Sequence, residues 1–289
     1  MKIVRKIEDV REAVREARRS GKRIGFVPTM GFLHDGHISL VDISKQHAEF
    51  NVMSIFVNRL QFNDVNDFNT YPKDLERDFA IAENGGIDLI FTPDDTEMYR
   101  NNLTTVDVDM LTENLCGAHR PGHFKGVFTV VSKLFNIVQP DVAVFGQKDI
   151  QQAVSLEKMV ADLNFPIKMI IAPIKRENDG LAMSSRNKHL SPEQRSAALS
   201  LSRSLKKAEE LLKSGVTESS AIIAEMKKVI EEGNPDKIDY ISIVDYGTLK
   251  DTSAACDKSV IAVAAYWGTT RLIDNMIAER EDNNFKCVY

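Results

Sequence analysis

The chain has 289 residues, longer than the ~100–200 of a typical single domain, so a large domain accompanied by a smaller one is the first expectation. Hydrophobic residues at 43% and charged residues at 27% exclude an intrinsically disordered chain. A formal net charge of -5, from 42 acidic against 37 basic residues, supplies no global positive field for a phosphodiester backbone, so no nucleic-acid partner is expected.

Residues 7–20 mix Val10, Ala13, Val14 and Ala17 with Glu and Arg at helical spacing, and Gly21 stands where a helix cap belongs. A short apolar run at 23–27, broken by Pro28, and a second at 51–57, broken by Asn58 and Arg59, read as buried strands. Runs at 87–91, 141–145 and 167–174 complete a set separated by helix-length stretches. That alternation argues for a parallel, doubly wound α/β sheet. The texture changes after the loop at 176–186. Ser191, Pro192 and Gln194 supply a cap, a first-turn proline and a capping-box partner for a long Ala/Leu/Lys-rich helix. A helix at 219–231 and apolar runs at 238–244 and 260–267 follow. The expected organisation is a ligand-binding domain over 1–176 and a smaller α+β domain over 177–289, with the charged end from Glu279 fraying. Cys116, Cys256 and Cys287 form no C-x-x-C pair and no zinc-spaced cluster, which fits reduced thiols in the cytoplasm. The N-terminus places acids where a signal peptide needs an apolar run, and no segment reaches the ~18–20 apolar residues of a membrane span, so a soluble protein is expected.

The polar clusters follow the predicted strands, where ligands bind in open parallel sheets. Pro28-Thr29-Met30-Gly31-Phe32-Leu33-His34-Asp35-Gly36-His37 ends where a helix begins. Its glycines permit close approach to a phosphate, and His34 and His37, three apart, are candidate donors to phosphate oxygens at the positive helix end. Two surface histidines, or half of a metal site, are the bland alternatives, and His47, His119, His123 and His189 add no ligands at recognisable spacing. Asn58 and Gln61 put two carboxamides after the second strand, suited to a small hydroxy acid. Gly146, Gln147, Lys148 and Asp149 follow the fourth run. Lys148 is a point charge for phosphate, while Asp149 can cap a helix, bind a ribose hydroxyl or help hold Mg²⁺, and Gln152 comes one turn later. Met183, Ser184, Ser185 and Arg186 make an anion cradle in an exposed loop. Residues 119–126 form a basic, glycine-bearing loop able to act as a lid.

His34-Asp35-Gly36-His37 with Met183-Ser184-Ser185-Arg186 resembles the HIGH/KMSKS pair of the adenylyl-transferring superfamily. Pro28 to Gly31, Phe56-Val57-Asn58, Gln61-Phe62, Arg120 to Phe124, Phe145 to Asp149 and Gly180 to Asn187 resemble, in order and over nearly the whole chain, the pantothenate synthetase (pantoate–β-alanine ligase) family. The resemblance implies a Rossmann-like N-terminal domain, a smaller C-terminal lid domain, a homodimer, and Mg²⁺-ATP as co-substrate without a tightly bound organic cofactor. It implies an ATP-dependent ligase that joins pantoate to β-alanine through pantoyl adenylate, releasing pyrophosphate and AMP, in coenzyme A biosynthesis. By position, Met30, Gly31, Phe32, Leu33, His34, Asp35, Gly36, His37, Gly146, Gln147, Lys148, Asp149, Lys175, Met183, Ser184, Ser185 and Arg186 would line the ATP site. Gln61, Gln152 and Asn58 would serve pantoate and β-alanine, and His37, His34, Lys148, Ser184, Ser185 and Arg186 would be catalytic. Whether His37 transfers a proton or only donates a hydrogen bond is open.

Three positions depart from the family's usual pattern: Arg59 where proline is usual, Asn63 where glycine is usual, and Lys175 where a small apolar residue is usual. Another adenylyltransferase of the superfamily, or a silent nucleotide-binding regulator, are the rival readings. The second domain and the two glutamines favour the ligase over the first, and the intact donor set disfavours the second.

Overall fold

A computed structural model describes residues 1–63, 65–282 and 284–289 of the chain. Strand β1 (Lys2–Val4) leads into helix α1 (Ile7–Arg19), whose buried face is Val10, Ala13, Val14 and Ala17. The N-cap residue Lys6 has no side-chain acceptor for the first turn. Glu97, distant in sequence, accepts the Ile7 N–H at 2.9 Å instead and pairs with Lys6 at 3.0 Å. β1 lies outside the expected strands, because three residues are too few to show a period.

The chain continues through β2 (Ile24–Thr29), α2 (Asp35–Lys45), β3 (Phe50–Ile55), α3 (Val65–Thr70), α4 (Leu75–Gly85), β4 (Leu89–Phe91), α5 (Asp95–Tyr99), α6 (Leu115–His119), α7 (His123–Val138), β5 (Val142–Gly146), α8 (Ile150–Asp162) and β6 (Lys168–Ala172). The six strands make one parallel sheet in the order β1-β4-β3-β2-β5-β6. One face packs Phe26, Phe91, Phe128, Phe135 and Leu156 with α1 and α7, and the other packs Val27, Leu33, Val41, Met53 and Ile90 with α2 and α4. Each such fully buried side chain contributes ~1.5–3 kcal/mol. The doubly wound α/β sheet expected from the sequence is therefore present. One detail differs: β2 runs through Pro28, which pairs in register with Ser54 of β3. Pairing of β2 with β5 extends only over Gly25 and Phe26, so the missing proline N–H interrupts no ladder on that side.

The chain divides into two compact units, one of residues 1–112, 116–146 and 155–172, the other of residues 113–115, 147–154 and 173–289. The second contains α9 (Pro192–Ala198), α10 (Ser200–Lys213), α11 (Ser219–Glu231), β7 (Lys237–Asp245), β8 (Lys258–Trp267), β9 (Thr270–Glu281) and β10 (Asn284–Val288). Its four strands are antiparallel in the order β10-β9-β8-β7, and with the helices they give the smaller α+β fold that was expected. Ser191 and Gln194 close the capping box, with Pro192 in the first turn. The single long helix expected after it is two, α9 and α10, meeting at Leu199. The frayed end expected from Glu279 is instead the end of β9 followed by β10, with Phe285 buried; Asn283 lies outside the described residues. Phe285 and Cys287 alternate with Asn284 and Lys286, a period-two pattern hidden under the charge. Among the described residues no helix is long and apolar enough to cross a membrane.

Candidate active site

The loop after β2 is bent by two consecutive residues of positive φ, Gly31 at 85° and Phe32 at 52°. Glycine adopts that conformation freely, but a phenylalanine there is strained. The buried carboxylate of Asp78, on α4, holds the bend by accepting the N–H groups of Phe32 and Leu33, each at 2.7 Å. A Cβ on Gly31 would come within 2.9 Å of Asp78 Oδ2, so this nest of amides closes tightly on its anion. Leu33 is fully buried in the core, and the Arg77 guanidinium lies 5.2 Å from the centre of the Phe32 ring.

The bend delivers the chain into α2 with His34 as its N-cap. His34 Nδ1 accepts the Gly36 N–H at 3.1 Å, and His37 Nδ1 accepts the His34 N–H at 3.2 Å, a reciprocal box built from two imidazoles. Their ring centres are 4.1 Å apart. With each Nδ1 accepting, the neutral rings carry their proton on Nε2, so both histidines are Nε2–H donors at the positive end of a helix. Asp35 is exposed in the first turn, and Gly36 and Met30 are half-buried.

After β3, Asn58 is almost fully buried. Its Nδ2 donates to Gln61 Oε1 and to the Gly126 carbonyl, both at 3.0 Å, and its Oδ1 accepts the Tyr99 hydroxyl at 2.6 Å. Burial, with Asp95 nearby, pushes the Tyr99 phenol well above its ordinary range, so it remains a donor. Asn58 thus orders Gln61, whose Nε2 points to Met30 Sδ at 3.0 Å and so ties the second loop to the first. The basic 119–126 loop does not form an open lid over its second half. His123, Phe124 and Gly126 are buried in the first turn of α7, and His123 Nδ1 lies 2.7 Å from the Gln61 carbonyl oxygen. A Cβ on Gly126 would meet the Leu60 carbonyl oxygen at 2.3 Å, which is why glycine stands there. The residues departing from the family pattern have partners of their own. Arg59 pairs with Asp95 at 3.5 Å, and Asn63 Nδ2 donates to the Pro121 carbonyl at 2.5 Å.

In the second unit, Gln147, Lys148 and Asp149 form one 3-10 turn directly before α8, with Gly146 ending β5. Gln147 is buried, Lys148 half-buried and Asp149 exposed. The Gln147 amide is committed to the Val288 carbonyl at 2.8 Å and to Asn275 Oδ1 at 3.3 Å. Gln152 is half-buried on α8, while Gln151 beside it is buried and donates to the Asn114 carbonyl at 2.7 Å. Lys175 is exposed and its carbonyl accepts the Met183 N–H at 3.0 Å, a backbone contact that any residue can make. Ser184 caps a second 3-10 turn (Ser185–His189), its Oγ accepting the Arg186 N–H at 3.3 Å. The loop is braced by Asn187, which donates to Glu177 at 2.7 Å and to the Ala182 carbonyl at 3.1 Å, and by Arg195, which bridges Glu177 and Asp179 at 2.6 and 2.7 Å. The paired hydrogen bonds from Arg195 and the Leu181 N–H hold the Asp179 carboxyl below its ordinary range against a partial desolvation.

Asp78, Tyr99, Asp274 and Asn275 were not among the expected site residues. Three of the four leave a trace in sequence: Asp78 sits on the stripe of Ala82 and Gly85, and Asp274-Asn275 interrupts an apolar run. A lone polar residue on an apolar face is the signal that would have found them. Among the described residues no cluster of three or more His, Cys, Asp or Glu side chains is disposed to hold a metal.

The sheet reverses its winding between β2 and β5, the switch point at which such sheets bind ligands, and a helix start with paired imidazole donors follows β2. These features define a doubly wound α/β protein of the nucleotide-binding kind. The sequence profile described as Pantoate-beta-alanine ligase matches residues 2–277. The chain is 56% identical over 278 residues to the pantothenate synthetase of Thermoanaerobacter sp. (strain X514), covering 96% of this chain and 98% of that relative. Pantothenate synthetase from Thermus thermophilus superimposes with a TM-score of 0.90 at 41% identity, covering 95% and 98% of the two chains. A pantoate-beta-alanine ligase from Francisella tularensis, solved with beta-gamma ATP and beta-alanine, gives 0.77 at 33% identity, covering 95% and 97%. The chain belongs to the pantoate-beta-alanine ligase family.

Proposed function

We propose that this chain performs its family's ATP-dependent condensation of pantoate with β-alanine in two half-reactions, using the side chains described above. Family membership over nearly the whole length, joined to the reciprocal His34–His37 box, is the observation that carries this reading. In the first half-reaction a pantoate carboxylate oxygen attacks the α-phosphorus of ATP, and the bond to the β-phosphate breaks to release pyrophosphate. The carboxylate is ionised at neutral pH, so no general base is required. What the reaction needs is stabilisation of phosphate charge, and His34, His37, Lys148, Ser184, Ser185 and Arg186 are donors of that kind. In the second, the free amine of β-alanine attacks the acyl carbon, the bond to AMP breaks, and the amine loses a proton.

On this reading Gln61 and Gln152 bind pantoate by hydrogen bonds, and Asn58 acts through Gln61. Met30, Gly31, Phe32, Leu33, Asp35, Gly36, Gly146, Gln147, Asp149, Lys175 and Met183 frame the nucleotide, several of them by backbone alone. Mg²⁺ would enter with the nucleotide, held mainly by phosphate and water with the exposed Asp149 as protein ligand, consistent with a metal that needs few protein carboxylates. When bound, it would neutralise phosphate charge. The proposal includes residues 1–176 as the ATP- and pantoate-binding part, residues 177–289 as the part carrying the Ser184, Ser185 and Arg186 donors, a homodimer, and a cytoplasmic location, which the reduced thiols expected of Cys116, Cys256 and Cys287 suit.

The test is to supply Mg²⁺-ATP with pantoate alone and then with β-alanine. Pyrophosphate in enzyme-stoichiometric amount, then sustained AMP and pantothenate on adding the amine, is the expected result. A folded, ATP-binding protein that releases neither would sink the reading.

A further inference from the structure

Two neighbouring residues on β9, Asp274 and Asn275, are 3% and 1% exposed although both are polar. Successive side chains leave a strand on opposite faces, so one short stretch of β9 serves two different segments. On one face, Asn275 Nδ2 donates to the carbonyls of Gln147 and Lys148, each at 3.0 Å, and Asn275 Oδ1 accepts from Gln147 Nε2. Those two carbonyls fix the peptide planes of the turn and hence the direction in which Lys148 leaves it. On the other face, Asp274 takes both terminal nitrogens of Arg176 at 2.7 and 3.0 Å, and Arg176 Nη1 also donates to the Gly180 carbonyl at 3.1 Å. Strand β10 and the residue that follows it reinforce both: Val288 accepts from Gln147, the Tyr289 carbonyl accepts the Ile174 N–H at 2.8 Å, and the Tyr289 ring lies 5.3 Å from the Arg176 guanidinium. Desolvating a carboxylate and a carboxamide inside an apolar strand is unfavourable, and apolar residues would stabilise the strand as well or better. The arrangement is explained by what it orients.

We propose that Asp274 and Asn275 are positioning residues that set the Lys148 turn and the Ser184-Ser185-Arg186 loop for work on the nucleotide phosphates. The inference rests on the assignment of those donors to ATP made above.

The experiment is a double-mutant cycle on steady-state kinetics with ATP varied, using N275D, K148A and the combined variant. N275D keeps the shape of the side chain but turns an acceptor toward two carbonyls. The expected result is a loss in kcat/KM for ATP of about tenfold to about a hundredfold from displacement of Lys148, with the KM for β-alanine little changed. In the K148A background N275D causes no further loss, because its effect travels through Lys148. Fully additive losses, or a uniform fall in kcat that follows the folded fraction, would assign Asn275 a purely structural role and overturn the proposal. If K148A alone leaves ATP kinetics unchanged, the assignment of Lys148 fails and takes the proposal with it. If K148A is impaired and N275D is not, only the proposal fails. Should N275D not fold, D274N, which leaves one oxygen for Arg176, is read in the same cycle against R186A with the same outcomes.

Discussion

The carboxylate of Asp78 accepts the backbone N–H of Leu33 at 2.7 Å across 45 residues of sequence. Its other oxygen takes the Phe32 N–H, so this side chain on α4 determines how the histidine-bearing loop leaves β2. Asp78→Asn turns one acceptor into a donor facing a backbone N–H. Loss of a buried hydrogen bond to a charged group predicts destabilisation of about 1.5–3 kcal/mol, read as a lower denaturant midpoint. Turnover falls further than stability explains, since relaxation of Phe32 moves His34 and His37. Unchanged kinetics in a destabilised variant would confine Asp78 to folding.

Gly126→Ala has a predictable sign. At an unobstructed interior helix position alanine in place of glycine stabilises by ~1 kcal/mol. Here the new Cβ meets the Leu60 carbonyl oxygen at 2.3 Å and the Gln61 nitrogen at 2.6 Å, both rigid backbone. Overpacking of this kind costs about 1–3 kcal/mol, so thermal unfolding moves down. The shifted Gln61 should raise the KM for pantoate more than that for ATP. A variant as stable as the parent would contradict the close packing.

Asn58→Ala removes the hub between Gln61, Gly126 and Tyr99. It leaves the Gly126 carbonyl and the Tyr99 hydroxyl with a buried partner missing, at ~1–3 kcal/mol for each group left unsatisfied. The expected signature is weakened pantoate binding with ATP affinity preserved, measured by isothermal titration of each ligand. Equal loss of both affinities would point to general collapse.

Glu97 tests the pH dependence. The Ile7 N–H, and then Lys6, hold its carboxyl below the ordinary 4.5 of a glutamate. A depressed folded-state value means the stabilisation is present above that ordinary value and is lost as pH falls through the lower folded-state one. Glu97→Gln is therefore less stable than the parent at neutral pH, and the two converge in acid below the ordinary value. Denaturant midpoints across that range decide it; parallel curves would mean the carboxylate charge plays no part at the start of α1.

Strand runs such as 51–57 and helices such as 219–231 were readable because apolar period and flanking breakers agree there. The candidate site loops stand out in the sequence because glycines, imidazoles and hydroxyls follow strands. What escaped reading was of two kinds. Short or charged strands, β1 and β10, carry too few apolar residues to reveal their pairing, which depends on partners far away in sequence. The supporting residues Asp78, Tyr99, Asp274 and Asn275 act across distances the sequence does not record: a polar residue on an apolar face marks Asp78, Asp274 and Asn275 as buried, and nothing local names the partner each one holds. Gln147 shows the converse. It stands inside a recognisable site motif, yet its side chain serves the framework, so a motif names a segment without separating the residues that point outward from those that point in.

The burial of Tyr99 makes it an optical probe of the packing around Asn58 and Gln61. Six tyrosines absorb in this chain, but the phenol of Tyr99, engaged with Asn58 and shielded from water, ionises much later than a solvated one. In an alkaline absorbance titration its contribution, identified by difference against Tyr99→Phe, should stay silent while this packing holds and emerge when the region opens. Unlabelled protein thus carries its own gauge of local opening beneath Gln61, usable with and without the small acid present.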